Sequence, residues 1–169
     1  DMIHEIKDGG TFLLNTSWDA AELELHLPGD VKKYIADHKV QFYTVDANKI
    51  ARELGLGNHA NLILQAAFFK LSKVMPVDDA VRYMKEAAQK TYARKGEKVV
   101  AMNLAAVDAG INSPIKVEIP ASWLQARDER TVDKSLPDVV KNIVIPCNRQ
   151  RGEDLPVSAL VPYQDGTYP

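Results

Sequence analysis

"VQFYTVDANKIARELG", residues 40–55, runs a strand, a cap and a helix together without a spacer. Val40, Phe42, Tyr43 and Val45 make a nearly continuous apolar and aromatic run, the pattern of a strand covered on both faces in a parallel sheet. Asp46 then stands at the N-cap position, where a carboxylate accepts hydrogen bonds from the free amides of a helix's first turn. Ala47, Ile50, Ala51 and Leu54 repeat at helical spacing, and Gly55 supplies the left-handed residue that closes a helix. Upstream, "TFLLN", residues 11–15, is a second short apolar run, and "TSWDAAEL" after it offers Ser17 or Asp19 as a cap. Pro28 breaks that helix, and Val31, Tyr34, Ile35 and His38 fall at i, i+3, i+4 and i+7 to mark another. Strand, helices, strand and helix form a βαβ unit with parallel strands. Before it, residues 2–8 read as the end of a helix stopped at Gly9-Gly10.

Beyond Gly55 the pattern is helical. Leu62 to Leu71 is apolar on nearly every side and predicts a core helix, with Asn58 placed to cap it. After Pro76, Val77, Val81, Met84 and Ala88 form one helical face; Arg82, Glu86 and Lys90 form a solvated one, with Glu86 and Lys90 spaced as an i, i+4 ion pair. Gly96 ends this helix, and "EKVVAMNLAAVDAG" predicts the next, closed by Gly110. "IKVEI", residues 115–119, alternates like a strand.

From Pro120 the texture changes, because Pro137, Pro146, Pro156, Pro162 and Pro169 punctuate the rest and prolines obstruct a packed continuation of the sheet. The expectation is an α/β portion over residues 1–119 and a Pro-rich linker or wrapping arm over 120–169, with one short helix at "LPDVVKNIVIP". The fold class is therefore α/β: a βαβ-containing partial parallel or mixed sheet flanked by helices, with an extended C-terminal arm. Two or three strands are few for a whole sheet, which predicts a piece of a larger protein.

A length of 169 residues suits a single core, and a net charge of −2 gives no general attraction to nucleic acid or anionic membrane. Cys147 is the one cysteine, so neither an internal disulfide nor a thiolate cage for zinc or iron–sulfur can form. No apolar stretch approaches the ~20 residues that span a bilayer, and the acidic start lacks the features of a signal peptide. The expected setting is cytoplasmic.

"GLGNHANLILQAAFFKL", residues 55–71, draws attention as a phosphate loop, yet it lacks a third glycine or a Gly-Lys-Ser/Thr and follows a helix instead of a strand. Gly55 and Asn58 read as helix punctuation, with the weak anion attraction of any helix N-terminus. The informative residues are amides. Asn61 and Gln65 lie one turn apart in an apolar setting, and Asn103 sits among Val99, Val100 and Val107 in the middle of an apolar stripe. A buried amide without partners costs about 1–3 kcal/mol, so each needs either a backbone group, such as a neighbouring loop, or a ligand. His4, His26, His38 and His59 are too scattered for a metal site. Asp78 and Asp79 complement a helix dipole, and no catalytic residue or metal ligand emerges from spacing.

"GGTFLLNTSWDAAEL", "FYTVDANKIARELGLGNHANLILQAAFFKL", "EKVVAMNLAAVDAGI" and "LPVSALVPYQDGTYP" together resemble pyruvate:ferredoxin (or flavodoxin) oxidoreductase. They are similar to the later part of its gamma domain and the segment leading to its ferredoxin-like domain. The match runs along nearly all of the chain and is least distinctive from about Ser122 to Ile143. The resemblance implies CoA-dependent oxidative decarboxylation of pyruvate, thiamine diphosphate with Mg and 4Fe-4S clusters in other domains, ferredoxin or flavodoxin as electron partner, and a homodimeric full enzyme. The family's Gly-Asp-Gly thiamine motif is missing here, so this segment is not catalytic alone. The gamma domain's implied role is to help hold CoA through an earlier glycine-rich loop missing here and through two asparagines, which by motif correspond to Asn61 in "GLGNHAN" and Asn103 in "AMN". The rival is a purely structural interdomain packing module; a third reading is a free-standing nucleotide-binding protein.

Overall fold

A computed structural model describes residues 2–127 and 135–166. Three strands form one sheet in the order β1-β2-β3. β1 (Thr11–Asn15) and β2 (Gln41–Val45) pair in parallel, with Phe12 opposite Phe42 and Asn15 opposite Val45. β3 is only Ile115–Lys116, antiparallel to β2. The strand expected over 115–119 is therefore shorter, with one further ladder bond from Val117 N–H to the Phe42 carbonyl. Val117 and Ile119 instead pack their side chains against the core beneath the sheet.

The crossover between β1 and β2 holds α1 (Ala20–His26) and α2 (Gly29–Asp37). Asp19, not Ser17, caps α1: its carboxylate accepts from the amides of Ala21 and Glu22 while Glu22 returns a bond to the Asp19 amide. This reciprocal box satisfies amides that a helix start leaves free. Asp46 caps α3 (Ala47–Glu53) by accepting from the Lys49 amide at 2.8 Å. Ahead of β1, the expected helix end is a single 3-10 turn, Met2–Glu5, and Gly9 turns the chain at φ +68°.

α4 (Asn61–Ser72), α5 (Val77–Tyr92) and α6 (Glu97–Asn112) follow. α6 runs through Gly110 where a closing glycine was expected. A Cβ at Gly110 would lie 2.3 Å from the Ile63 carbonyl oxygen and 2.7 Å from Ala66 Cβ, well inside van der Waals contact. Gly110 is thus a point of close helix approach. On α5, Glu86 meets Arg82 at 3.7 Å in place of Lys90.

The two sheet faces carry separate cores. On one, Phe12, Leu14 and Phe42 pack with Leu23, Leu27, Ile35 and Trp123. On the other, Leu13 and Val45 pack with Ala47, Ala51, Leu56, Ala60, Ile63 and Ala106. This is the alternation that a two-sided strand requires. Trp123 lies in a 3-10 turn, Ala121–Gln125, and its indole N–H donates to the Glu24 carboxylate.

The last part of the chain carries the short helix expected there, but in a different form. A π-helical turn, Val140–Val144, leads without a break into α7 (Ile145–Asn148), so Pro146 lies inside the helical run, directly after the widened turn that gives its ring room. Two 3-10 turns, Gly152–Asp154 and Val157–Tyr163, complete the arm.

Candidate functional site

Asn61 is the first residue of α4, and the loop before it does not cap as expected. Ala60 holds the N-cap position with no side-chain bond. Asn58 is exposed and only its backbone carbonyl is used, accepting from Ala60 N–H at 3.1 Å. Gly55 and Gly57, with φ of +77° and +61°, fold this loop tightly and carry the Asn58 side chain away from the free amides.

Asn61 and Gln65 are exposed, contrary to the buried setting their neighbours suggest. The reason is geometric: α4 buries one stripe, Ile63, Ala66 and Ala67, and positions 61, 65 and 68 fall on the opposite side of a 3.6-residue repeat. Phe68 is 53% exposed for the same reason. Water therefore satisfies these two amides, and burial alone does not demand a ligand for them. Gln65 lines a groove of about 290 Å³ between α4 and α5, together with Leu62, Phe69, Tyr83, Met84 and Thr91.

Asn103 is different, being 6% exposed in the second turn of α6. Its Nδ2 donates to the Val99 carbonyl at 2.8 Å. The partner is one turn back in its own helix, not a separate loop, a bond that short polar side chains make in mid-helix. A carbonyl can only accept, so the amide nitrogen must face Val99 and Oδ1 must face away.

Both asparagines lie at the same end of the molecule. Met102 and Ala106 join Leu56, Ala60 and Ile63 in one core cluster, while Gly110 meets Ile63 and Ala66. The contacts advance in the same direction, so α4 and α6 run parallel with their N-termini together. Their C-terminal residues Lys70, Leu71, Ile111 and Asn112 share a cavity with the strand starts Thr11 and Gln41. The N-termini of α4 and α6, with Asn61 and Asn103, consequently lie toward the carboxyl ends of β1 and β2. Open α/β sheets bind ligands on that side.

Asn15 ends β1 at this same edge, and its Oδ1 accepts from the Ala47 amide at 3.0 Å, a second cap on α3. Spacing along the chain carries no signal for this bond, because donor and acceptor come from different elements. Carboxamides form hydrogen bonds and do not exchange protons near neutral pH, so Asn61 and Asn103 are not acid–base groups. Elsewhere, His38 pairs with Asp8 at 2.5 Å, His4 meets Tyr34 edge-on, and His26 packs on Trp18. His59 is exposed at the 55–60 loop. Among the described residues no group of side chains is placed to hold a metal, and no helix is long and apolar enough to cross a membrane.

A family model described as pyruvate ferredoxin/flavodoxin oxidoreductase matches residues 1–113, and one described as a domain of unknown function matches residues 125–169. A pyruvate-flavodoxin oxidoreductase of Enterobacter agglomerans is 49% identical over 99% of the chain. A pyruvate:ferredoxin oxidoreductase of Moorella thermoacetica is 44% identical over all of it, and a mitochondrial pyruvate dehydrogenase [NADP(+)] of Euglena gracilis 41%. The chain spans 14% of the length of the first two relatives and 9% of the third.

Proposed function

The chain belongs to the pyruvate ferredoxin/flavodoxin oxidoreductase family, and from that premise we propose that it is the part of such an enzyme that helps hold CoA, through Asn61 and Asn103. The whole enzyme would oxidatively decarboxylate pyruvate, pass the acyl group to CoA and deliver electrons to ferredoxin or flavodoxin, as a cytoplasmic homodimer. The observation that supports the reading is positional: the two amides assigned by motif lie toward the carboxyl ends of the parallel pair β1 and β2, the side on which open α/β sheets bind ligands.

The residues present fit CoA and do not fit the other groups of the reaction. CoA offers amide, hydroxyl and phosphate partners, which carboxamides can meet as donor or acceptor. A 4Fe-4S cluster needs four thiolates against the single Cys147, and the Gly-Asp-Gly phrase of a thiamine diphosphate and Mg site is missing from this sequence. When bound, thiamine diphosphate supplies the bond-breaking chemistry; this segment's own residues bind and orient the acyl acceptor. We also assign residues 1–119 to the ligand-holding portion and 120–169 to a connecting arm, whose first turn packs Trp123 into the core of that portion.

The test is kinetic, on the full-length enzyme. Asn61→Ala and Asn103→Ala should each raise KM for CoA about tenfold, the worth of one lost hydrogen bond of about 1.4 kcal/mol, with CoA-independent decarboxylation unchanged. Unaltered CoA dependence in both variants would favour the packing-module reading. Asn61 is the sharper of the two, because an exposed first-turn residue carries little of the fold.

A further inference from the structure

The two edges of the sheet are built differently. At one edge β3 is two residues long, contains Lys116 and lies between Pro114 and Pro120, which is the short, charged and proline-bounded form that natural edge strands take. At the other edge β1 has neither charge nor proline, and among the described residues β2 is its only strand partner. The Gly10 carbonyl accepts from Gln41 N–H at 2.7 Å, and Thr16 N–H donates to the Val45 carbonyl at 2.9 Å. In a parallel ladder this sets the even-numbered residues from 10 to 16 facing β2. Thr11, Leu13 and Asn15 therefore turn their N–H and C=O groups away from it, toward the outer edge.

The side chains of β1 agree with an interior position. Phe12 and Leu14 pack into one core and Leu13 into the other, the two-sided burial of a strand inside a parallel sheet. An open apolar stripe of α4 borders the same edge. Leu64 belongs to the cluster that holds Leu13, and Leu71 shares a cavity with Thr11. Around the helix axis both lie between the buried stripe and Phe68, whose ring is half exposed.

We propose that the outer edge of β1 is a pairing site for a further strand of the same polypeptide, outside residues 1–169, and that the segment joined to that strand covers Phe68 on α4. The relatives make such an occupant available: the chain spans 14% of the length of the Enterobacter and Moorella enzymes, and three strands are few for a sheet. A second copy of the chain fits less well. A two-fold axis at this edge would pair β1 with itself in antiparallel fashion, whereas a strand packed by helices on both faces is of the parallel-sheet kind.

Hydrogen exchange of the full-length wild-type enzyme, read at single amides by mass spectrometry, tests the edge without any variant. With each rate divided by its intrinsic value, Leu13 should exchange within about tenfold of Phe12 and Leu14, whose amides face β2. A Leu13 amide more than about tenfold faster than both overturns the proposal, because an unpaired edge opens to water without unfolding. A photo-reactive benzoylphenylalanine placed at Phe68 of the full-length enzyme then identifies the occupant. The expected product has the mass of one polypeptide and joins position 68 to a residue outside 1–169. A product with the mass of two polypeptides, a link to the arm over 120–169, or no product overturns the proposal.

Discussion

The two faces of the sheet are packed by opposite means. Under one face the space is filled by bulk: Phe12 stacks on Phe42 at 5.3 Å between centroids, Phe42 meets Trp123 at 6.3 Å, and Leu23, Leu27 and Ile35 close the cluster. Over the other face the helices come close because their contact residues are small: Ala47, Ala51, Ala60, Ala66, Ala106 and Gly110. A core of large side chains loses much when one is truncated. A core made by backbone approach tolerates truncation and resists addition, since helices already in contact have no free volume. The two candidate asparagines stand on the small-residue side, where a helix displaced by one methyl group would shift Asn103 relative to Asn61.

The comparison can be broken from either side. Trp123→Ala should have the largest effect, about 3–5 kcal/mol of unfolding free energy in a urea titration, because it empties the centre of the bulky core and strips Glu24 of its indole donor. Gly110→Ala should come next, at about 1–3 kcal/mol, from overpacking alone. A neutral outcome there would mean that α4 and α6 can separate freely, and the contrast between the faces would fail. Asp19→Ala, on the exposed rim of the bulky side, should cost about 1 kcal/mol through loss of the capping box.

The smallest effect is one of pH. The Trp123 indole first, and then Lys32, hold the Glu24 carboxyl below its ordinary value, against the opposing influence of desolvation. A carboxyl with a lowered folded pKa stabilises above its unfolded pKa and loses that contribution as pH falls through the folded one. Stability should therefore fall on acidification from the ordinary carboxylate range downward, and Glu24→Gln should flatten that acid limb slightly. An unchanged limb would show that the Glu24–Trp123 contact does not hold the 3-10 turn to α1.

Local chemistry was legible in the sequence because it acts over one or two turns. Asp19 and Asp46 cap the helices that begin beside them, Gly55 closes α3, and β1 and β2 are parallel as the strand–helix–strand order requires. Asn61 and Asn103 were singled out as amides in apolar company, and their family likeness rests on long phrases that survive without any coordinates. Three features read otherwise once the chain was folded. Asn58 leaves α4 uncapped, because the turn at Gly57 decides where its side chain goes. Asn61 and Gln65 face water, because only packing decides which side of a nearly all-apolar helix is inside.

Gly110 is the third and sets the limit. The same residue that closes helices elsewhere lies here inside one, and only the Ile63 carbonyl across the interface says which role it has. The sequence by itself determined the βαβ order, the caps and the family, since each depends on neighbours along the chain or on whole phrases of residues. Tertiary structure decided that α4 and α6 run side by side in one direction, that Asn103 turns its nitrogen to the Val99 carbonyl, and that both asparagines lie toward the carboxyl ends of β1 and β2. Those outcomes depend on distances between segments far apart in the chain, which spacing along one segment does not encode.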